Sequence, residues 1–374
     1  GTGMGAQATA FVSGMTSAQR TWETLKSHDV GLDVTVLGNR LSATFDWFQK
    51  TNDGMFIPVT YPSILGASAP KTNNGRFRSK GWELAVNWRD QIGQVTYNIG
   101  ANIADAKSEV LVLENSENVP NEGNNKGRLI GKPLNAIYVY RTDGIFQTQE
   151  EVNAYYEKYY WNADHTGPKS GNIIPAPRDK ATNTLRPGAR KLVDNNGDGA
   201  ITKDDLWYAG DKAPHFTFGI KAGLEWKGID FSAFFQGVGK QNVLRTGNIY
   251  APWVTNYVMQ NSTYMGKMWS EENPNAEYTI ASRDAAFNRW NYQNRDVSVQ
   301  DSKYIRLKSL VLGYTLPKAW TQKANINKVR VYFSGEDLWE WTSITDGYDP
   351  EHGEASNNTF PFSRLLSFGL DITF

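Results

Sequence analysis

The chain has 374 residues, 39 Lys plus Arg against 39 Asp plus Glu, and no cysteine. Zero formal net charge removes the electrostatic footprint of a nucleic-acid binder, and the absent cysteines exclude disulfide frameworks and thiolate metal sites. The mean hydropathy is −0.54, aromatic residues make up 13%, and no apolar run is long enough for a transmembrane helix, a composition that suits a large β protein or an outer-membrane barrel whose polar lumen and loops mask its apolar band.

Residues 1–27 show no basic region followed by an apolar core, so the chain reads as mature or as a piece of a longer polypeptide. A period-two pattern then begins. A strand is expected over 28–37, and after the short "LGNR" turn (37–40) another over 41–51, where Leu41, Ala43, Phe45 and Trp47 alternate with Ser42, Thr44 and Asp46. The pattern repeats over 77–89, with Trp82, Leu84, Val86 and Trp88 on one face, and over 93–105, with Val95, Tyr97, Ile99, Ala101 and Ile103. Further strands are expected over 108–114 ("SEVLVLE"), 135–146, 214–226, 229–238, 302–315, 328–336 and 365–374. The segment 108–114 is inserted to keep strand directions alternating, and the total is about eleven. Short links (37–40, 90–93, 227–229) alternate with long ones near 52–76, 147–213, 239–300 and 337–361, as a meander barrel requires.

These stretches run to about ten residues, the length of a tilted membrane-crossing strand. A β-sandwich is the soluble alternative, but its strands average about five or six residues. Trp82, Trp88, Trp226 and Phe374 near strand ends fit an interfacial girdle. The barrel reading places Phe216, Phe218, Leu366 and Phe368 toward lipid, and Thr217, Ser367 and Asp371 toward the lumen. Arg306, Lys308 and Arg330 are expected in the lumen, where charges more often pair with one another than meet substrate. An unpaired strand edge in hydrocarbon costs several kcal/mol per exposed backbone group, so about eleven strands imply the C-terminal part of a larger barrel.

Segments in this order resemble a known family: "HDVGLDVTVLGNRLSATFDWFQKTNDGMF", "NNGRFRSKGWELAVNWR", "GKPLNAIYVYRTDGIFQT", "LVDNNGDGAITKDD", "GDKAPHFTFGIKAGLEWKGIDFSAFFQGVG", "YIRLKSLVLGYTLP", "KVRVYFSGEDLWEWT", "GYDPE" and "FGLDITF". Together they resemble the barrel of SusC-like TonB-dependent transporters of Bacteroidetes outer membranes. The likeness implies an all-β transmembrane barrel of about 22 strands. It further implies an N-terminal plug and first barrel half that this chain lacks, TonB coupling through that plug, a SusD-like lipoprotein lid, and oligosaccharide or oligopeptide cargo. Residues 1–374 would then be the C-terminal part of that barrel. Phe374 resembles the terminal aromatic residue that barrel-assembly machinery reads.

"DNNGDGAITKDD" (194–205) is the sharpest chemical motif. Asp194, Asn196, Asp198, the Ala200 carbonyl, Thr202 and Asp205 fall at the oxygen-ligand positions of a calcium loop, with Mg²⁺ as the alternative. An exposed Asx-Gly turn is the competing account. The long loops carry Tyr250, Trp253, Tyr257, Trp290, Trp339, Trp341 and Tyr348, whose flat rings suit stacking on sugars or anchoring a partner; packing of loop on loop is the plainer account. The four histidines are scattered, and neither a Gly-x-Ser-x-Gly elbow nor a phosphate loop is present, so no enzyme is expected. The competing function is a secreted, calcium-stiffened carbohydrate-binding or adhesion module.

Overall fold

The computed structural model describes residues 20–58, 71–114, 129–134, 136–177, 184–246, 251–252, 264–352 and 363–374. In chain order its strands and helices are β1 (Thr24–Val36), β2 (Leu41–Pro58), β3 (Lys71–Ile92), β4 (Val95–Leu113), β5 (Ala136–Val139), β6 (Thr142–Ile145), α1 (Gln149–Tyr159), β7 (Arg190–Leu192), β8 (Trp207–Asp211), β9 (His215–Trp226), β10 (Ile229–Lys240), β11 (Asn242–Leu244), α2 (Ala285–Tyr292), β12 (Val299–Asp301), β13 (Tyr304–Thr315), α3 (Lys318–Thr321), β14 (Lys328–Thr342) and β15 (Leu365–Thr373).

Among the described residues nine strands form one antiparallel sheet in the order β1-β2-β3-β4-β9-β10-β13-β14-β15. The order follows the sequence, so every link joins neighbours, as in a barrel wall. Directly paired residues share a face, and the registers carry apolar side chains across the sheet. One row runs Val36–Leu41–Trp88–Ile99–Ala222–Ala233–Leu310, reaches Gly335, and ends on Leu366. The row beneath, on the opposite face, includes Arg89–Asn98–Gly223–Ser232–Val311–Ser334–Ser367. Among the described residues no second sheet covers the apolar rows: Phe368 is 84% exposed, and Leu32, Ile99, Leu312 and Leu370 are also exposed. That excludes a sandwich core and leaves lipid as the solvent of this face.

The strand count differs from the sequence expectation of eleven. Residues 108–113 do not form a separate strand; they continue β4, which runs 19 residues from Val95. Residues 135–146 do not enter the wall either. They give β5 and β6, which pair with β8 and β7 outside the main sheet. The descending strand sought between 106 and 134 is β9 itself, which pairs directly with β4. Removing one strand of each direction leaves the alternation intact, so the two errors hid one another.

The connection expected over 52–76 is largely ladder: β2 pairs with β3 out to Pro58 and Lys71. With 18 and 22 residues, these strands exceed the roughly 9–11 that cross a bilayer. Beyond the band they share a small cluster of Ile57, Val110 and Leu113 with Met55 and Phe77. The remaining long links supply a folded layer at the same end of the sheet. Its core joins Tyr138, Tyr140, Phe146, Val152, Tyr155, Leu192, Ile201, Phe287 and Trp290.

Candidate functional site

Two surfaces carry the chemistry: the polar face of the sheet and the folded layer at its long-loop end. On the polar face near the short turns, the Arg330 guanidinium donates to Asp230 at 2.6 and 2.9 Å and to Asp371 at 3.3 Å. Asp230 lies on β10 and Arg330 on β14, with β13 between them. Gly313 makes this reach possible. A Cβ there would lie 2.5 Å from Asp230 Oδ1 and 2.6 Å from Arg330 Nη2, so only a bare backbone leaves the ion pair its path. Thr96, Glu225, Asp230, Lys328 and Arg330 line a polar hollow of about 510 Å³ at this end.

Higher on the same face the ion pairs become a clamp. Arg306 on β13 is 2% exposed. It donates to Glu340 through Nε at 2.8 Å and to Asp349 at 2.8 Å, and Glu351 lies 3.2 Å from Nη1. Lys308 meets Asp337 at 2.9 Å and Glu351 at 3.3 Å. Asp346 accepts two bonds from Arg245 at 2.7 and 3.0 Å and one from Gln300 at 2.9 Å. Three acids spaced along residues 346–351 are therefore held by two buried arginines and a lysine. This folds the segment after β14 inward over the sheet. Arg306 and Lys308 occupy the polar face as the alternation implied; Arg245 and its acid were not foreseen, because 101 residues separate them.

The layer's helices follow from local signals. The Thr148 side chain caps α1 by accepting from the Glu151 N–H, and acidic Glu150 and Glu151 fill the first turn, where the helix dipole favours them. Val152, Tyr155 and Tyr156 form its buried stripe. Tyr155 Oη donates to the Leu192 carbonyl and Tyr156 Oη to that of Pro175, both at 2.9 Å. Burial pushes the Tyr156 phenol up to about 12. Asp284 caps α2, which buries Phe287, Trp290 and Tyr292. The layer is tied to the wall through His215, whose ring nitrogens lie 2.6 Å from Asp105 and 3.3 Å from Asp211, all three buried. The sequence held no signal for this triplet, since Asp105 and His215 are 110 residues apart.

The 194–205 loop forms a compact turn. Asp194 accepts from the N–H groups of Gly197 and Gly199 at 2.7 and 2.9 Å, and Asp198 accepts from Ala200 at 2.8 Å. Asn196 accepts from the Asp198 N–H at 2.9 Å. Thr202 caps the following 3₁₀ turn in a capping box with Asp205. Asp205 is fully buried and accepts from Asn195, Asn196 and Thr202 N–H groups. Burial holds its carboxyl above the ordinary carboxylate range, against the pull of those donors. Lys169 Nζ donates to the Gly199 carbonyl at 2.5 Å. Among the described residues no three His, Cys, Asp or Glu side chains converge as a metal-holding group.

The aromatic candidates separate. Tyr250, Trp253 and Tyr257 lie outside the described residues. Trp290 is not presented to a ligand: it is 5% exposed, and its Nε1 donates to the Arg190 carbonyl at 3.0 Å. Trp339 and Trp341 are corrected as well. They are 49% and 52% exposed, but they pair with Leu307 and Ile305 on the apolar face of the sheet. β14 runs six residues past its expected end, and across an irregularity opposite Lys308, where Asp337 has φ +52°, Trp339 and Trp341 keep the apolar face of Val331 and Gly335. The two tryptophans thus belong to the membrane-interface girdle. Tyr348 remains at the inner clamp, with Arg245 over its ring at 5.1 Å. Phe374 is exposed just past the end of β15.

An antiparallel sheet with one lipid-facing side, one ion-paired polar side and aromatic residues at both rims defines a transmembrane β-barrel wall. No family model matches the chain. It is 27% identical over 370 residues to "TonB-dependent receptor P3" of Formosa agariphila, and 24% identical over 383 residues to "TonB-dependent receptor P26" of the same organism. These alignments cover 94% and 95% of the chain but 34% and 35% of the relatives, so the chain spans about a third of their length. Among solved structures, the RagAB peptide transporter superposes with a TM-score of 0.67 at 21% identity, over 94% of this chain and 36% of that one. Its "open-open" state gives 0.68 at 22% identity, over 97% and 36%. Sequence and fold agree: over nearly its whole length the chain is similar to part of TonB-dependent receptors, and it folds as an outer-membrane β-barrel wall.

Proposed function

We propose that the chain forms part of the wall and mouth of a TonB-dependent importer that carries oligomeric nutrients across the outer membrane. The observation that carries this is the two-faced nine-stranded sheet, with its acid–base polar side ending in a folded layer. Such a wall lines an aqueous path without exposing polar groups to lipid. The long-loop end then faces outside, following the habit of bacterial barrels, and the layer meets a SusD-like lipoprotein. The polar hollow around Asp230 and Arg330 faces the plug through which TonB acts. The role is that of a conduit, with no catalytic step.

Oligopeptide cargo is favoured over oligosaccharide, because the structurally similar RagAB is a peptide transporter. Uptake of fluorescent oligopeptides and of labelled oligosaccharides should be measured in cells carrying the intact transporter, with and without energised TonB. TonB-dependent entry of peptide but not glycan supports the full reading. Entry of glycan alone changes the cargo, and the absence of TonB-dependent entry of either overturns the importer.

A calcium role for Asp194, Asn196, Asp198, Ala200, Thr202 and Asp205 rests on their spacing. The side-chain oxygens of Asp194, Asn196, Asp198, Thr202 and Asp205 already accept backbone N–H bonds, so a cation would have to share them. Calorimetric titration of the intact protein with Ca²⁺ and with Mg²⁺ decides it: saturable heat lost in Asp194→Ala supports the role, and no heat with either ion retires it.

A further inference from the structure

Near the short turns the apolar face is not flat. A groove of about 590 Å³ runs between Ile229, Leu312, Tyr314, Val331, Phe333 and Phe368. Its origin is a step in side-chain size. Val331 sits between Tyr314 and Leu370 in one row, and Phe333 between Leu312 and Phe368 in the next. The small valine forms a floor, while Tyr314 and the Phe333–Phe368 pair, with ring centroids 5.3 Å apart, stand as walls. Tyr332 also borders it, and apart from the Tyr314 and Tyr332 hydroxyls the lining side chains are hydrocarbon.

One end of the groove reaches the β9–β10 turn. Ile229 lines the groove, and the Tyr314 ring lies against Gly228, 3.5 Å from where a Cβ would stand. Lys227 is exposed in that turn, its ammonium 5.5 Å from the centre of the Trp226 ring, with φ +48°. The Trp226 side chain belongs to the apolar face, since it pairs with Val95 and Ile229. Lys227 stands in the turn between the two faces: the residue borders the polar hollow, while its ammonium stays beside the Trp226 ring at the outer rim. The neighbouring β13–β14 link places Lys318, Trp320 and Lys323 at the same level, all exposed.

We propose that this groove is a binding site for one acyl chain of a glycerophospholipid, with the lipid phosphate held at Lys227. A slot one side chain wide matches an alkyl tail, which gains dispersion contacts on three sides instead of one. A cation beside an interfacial tryptophan matches the phosphate one headgroup away. Because the groove opens toward the short turns, its occupant comes from the leaflet on that side, where the phospholipid headgroup meets Lys227. The proposal rests on the membrane orientation given above and not on the cargo.

Native mass spectrometry tests it. The intact transporter is stripped of lipid in detergent and titrated with dioleoylphosphatidylglycerol. The wild type should retain one lipid more than Val331→Trp, which fills the floor, with at least a fivefold drop in the occupancy of that adduct. Lys227→Ala should weaken it about threefold, and Lys227→Arg should restore it. Val34→Trp, on the same face but away from the groove, should bind as wild type does and shows that the barrel remains intact. Equal retention by wild type and Val331→Trp overturns the site and leaves only non-specific annular lipid. Displacement of the phospholipid by lipopolysaccharide, with no effect of Lys227→Ala, assigns the groove to the other leaflet and also overturns the proposal.

Discussion

Phe368 and Ser367 are neighbours in the chain, yet they face different solvents. Phe368 packs on Phe333 in the apolar row, and Ser367 pairs with Ser334 in the polar one. Phe368→Lys should therefore cost about 2–4 kcal/mol in refolding into bilayers, while Ser367→Lys should change stability by less than about 1 kcal/mol; urea titration in liposomes measures both. Asp205 gives a residue-scale pH dependence. Its folded pKa is raised by burial above the ordinary 3.8, so the folded loop binds a proton more readily than the unfolded one. Loop stability should rise as pH falls through the folded value, with the gain complete below 3.8, and be lost again as pH climbs back through that window. Amide exchange across 194–205, corrected for intrinsic rates, should show this, and Asp205→Asn should abolish it. The apolar rows were legible in the sequence because alternation is local. The partners of Arg245, Asp105 and His215 were not, because nothing local records a contact 101 or 110 residues away.

At the scale of elements, β14 shows why boundaries are harder to read than patterns. The alternation over 328–336 was plain, but Asp337 and Leu338 interrupt it, and Trp339 and Trp341 then read as loop residues. A bulge adds a residue without ending the strand, and after it the tryptophans again face outward. Glu340, on the polar face with Ser334 and Glu336, pairs with Arg306 and precedes the acid-rich strap. Removing one partner of a buried ion-pair cluster leaves the others uncompensated, at about 3–5 kcal/mol. Arg306→Met should release residues 343–352 from the sheet, seen as faster amide exchange there and new protease cleavage. The ladder of β13 with β14 should remain protected, since its backbone pairs do not depend on the guanidinium. Unchanged protection of 343–352 would show that the Arg245–Asp346 bond holds the strap alone.

At the scale of the whole molecule, the sheet has two ends. Among the described residues β1 pairs only with β2, and β15 only with β14. In hydrocarbon each unpaired N–H or C=O costs several kcal/mol, so the wall must be completed by strands beyond the described residues, with β1 and β15 on the two seams. The absence of cysteine allows a direct test of closure and sidedness, because an introduced thiol in the chain is its sole label site. In the closed barrel, cysteines at Val34 and Phe368 should react with a membrane-soluble maleimide and resist a charged one. Cysteines at Thr35 and Ser367, one residue away, should show the reverse, through water in the lumen. Both seams must give this one-residue alternation, because an open edge would let water reach both faces of β1 and β15. Equal labelling of each neighbouring pair by the charged reagent would mean that the two edges stand open in the membrane, and would refute the closed wall on which the import reading depends.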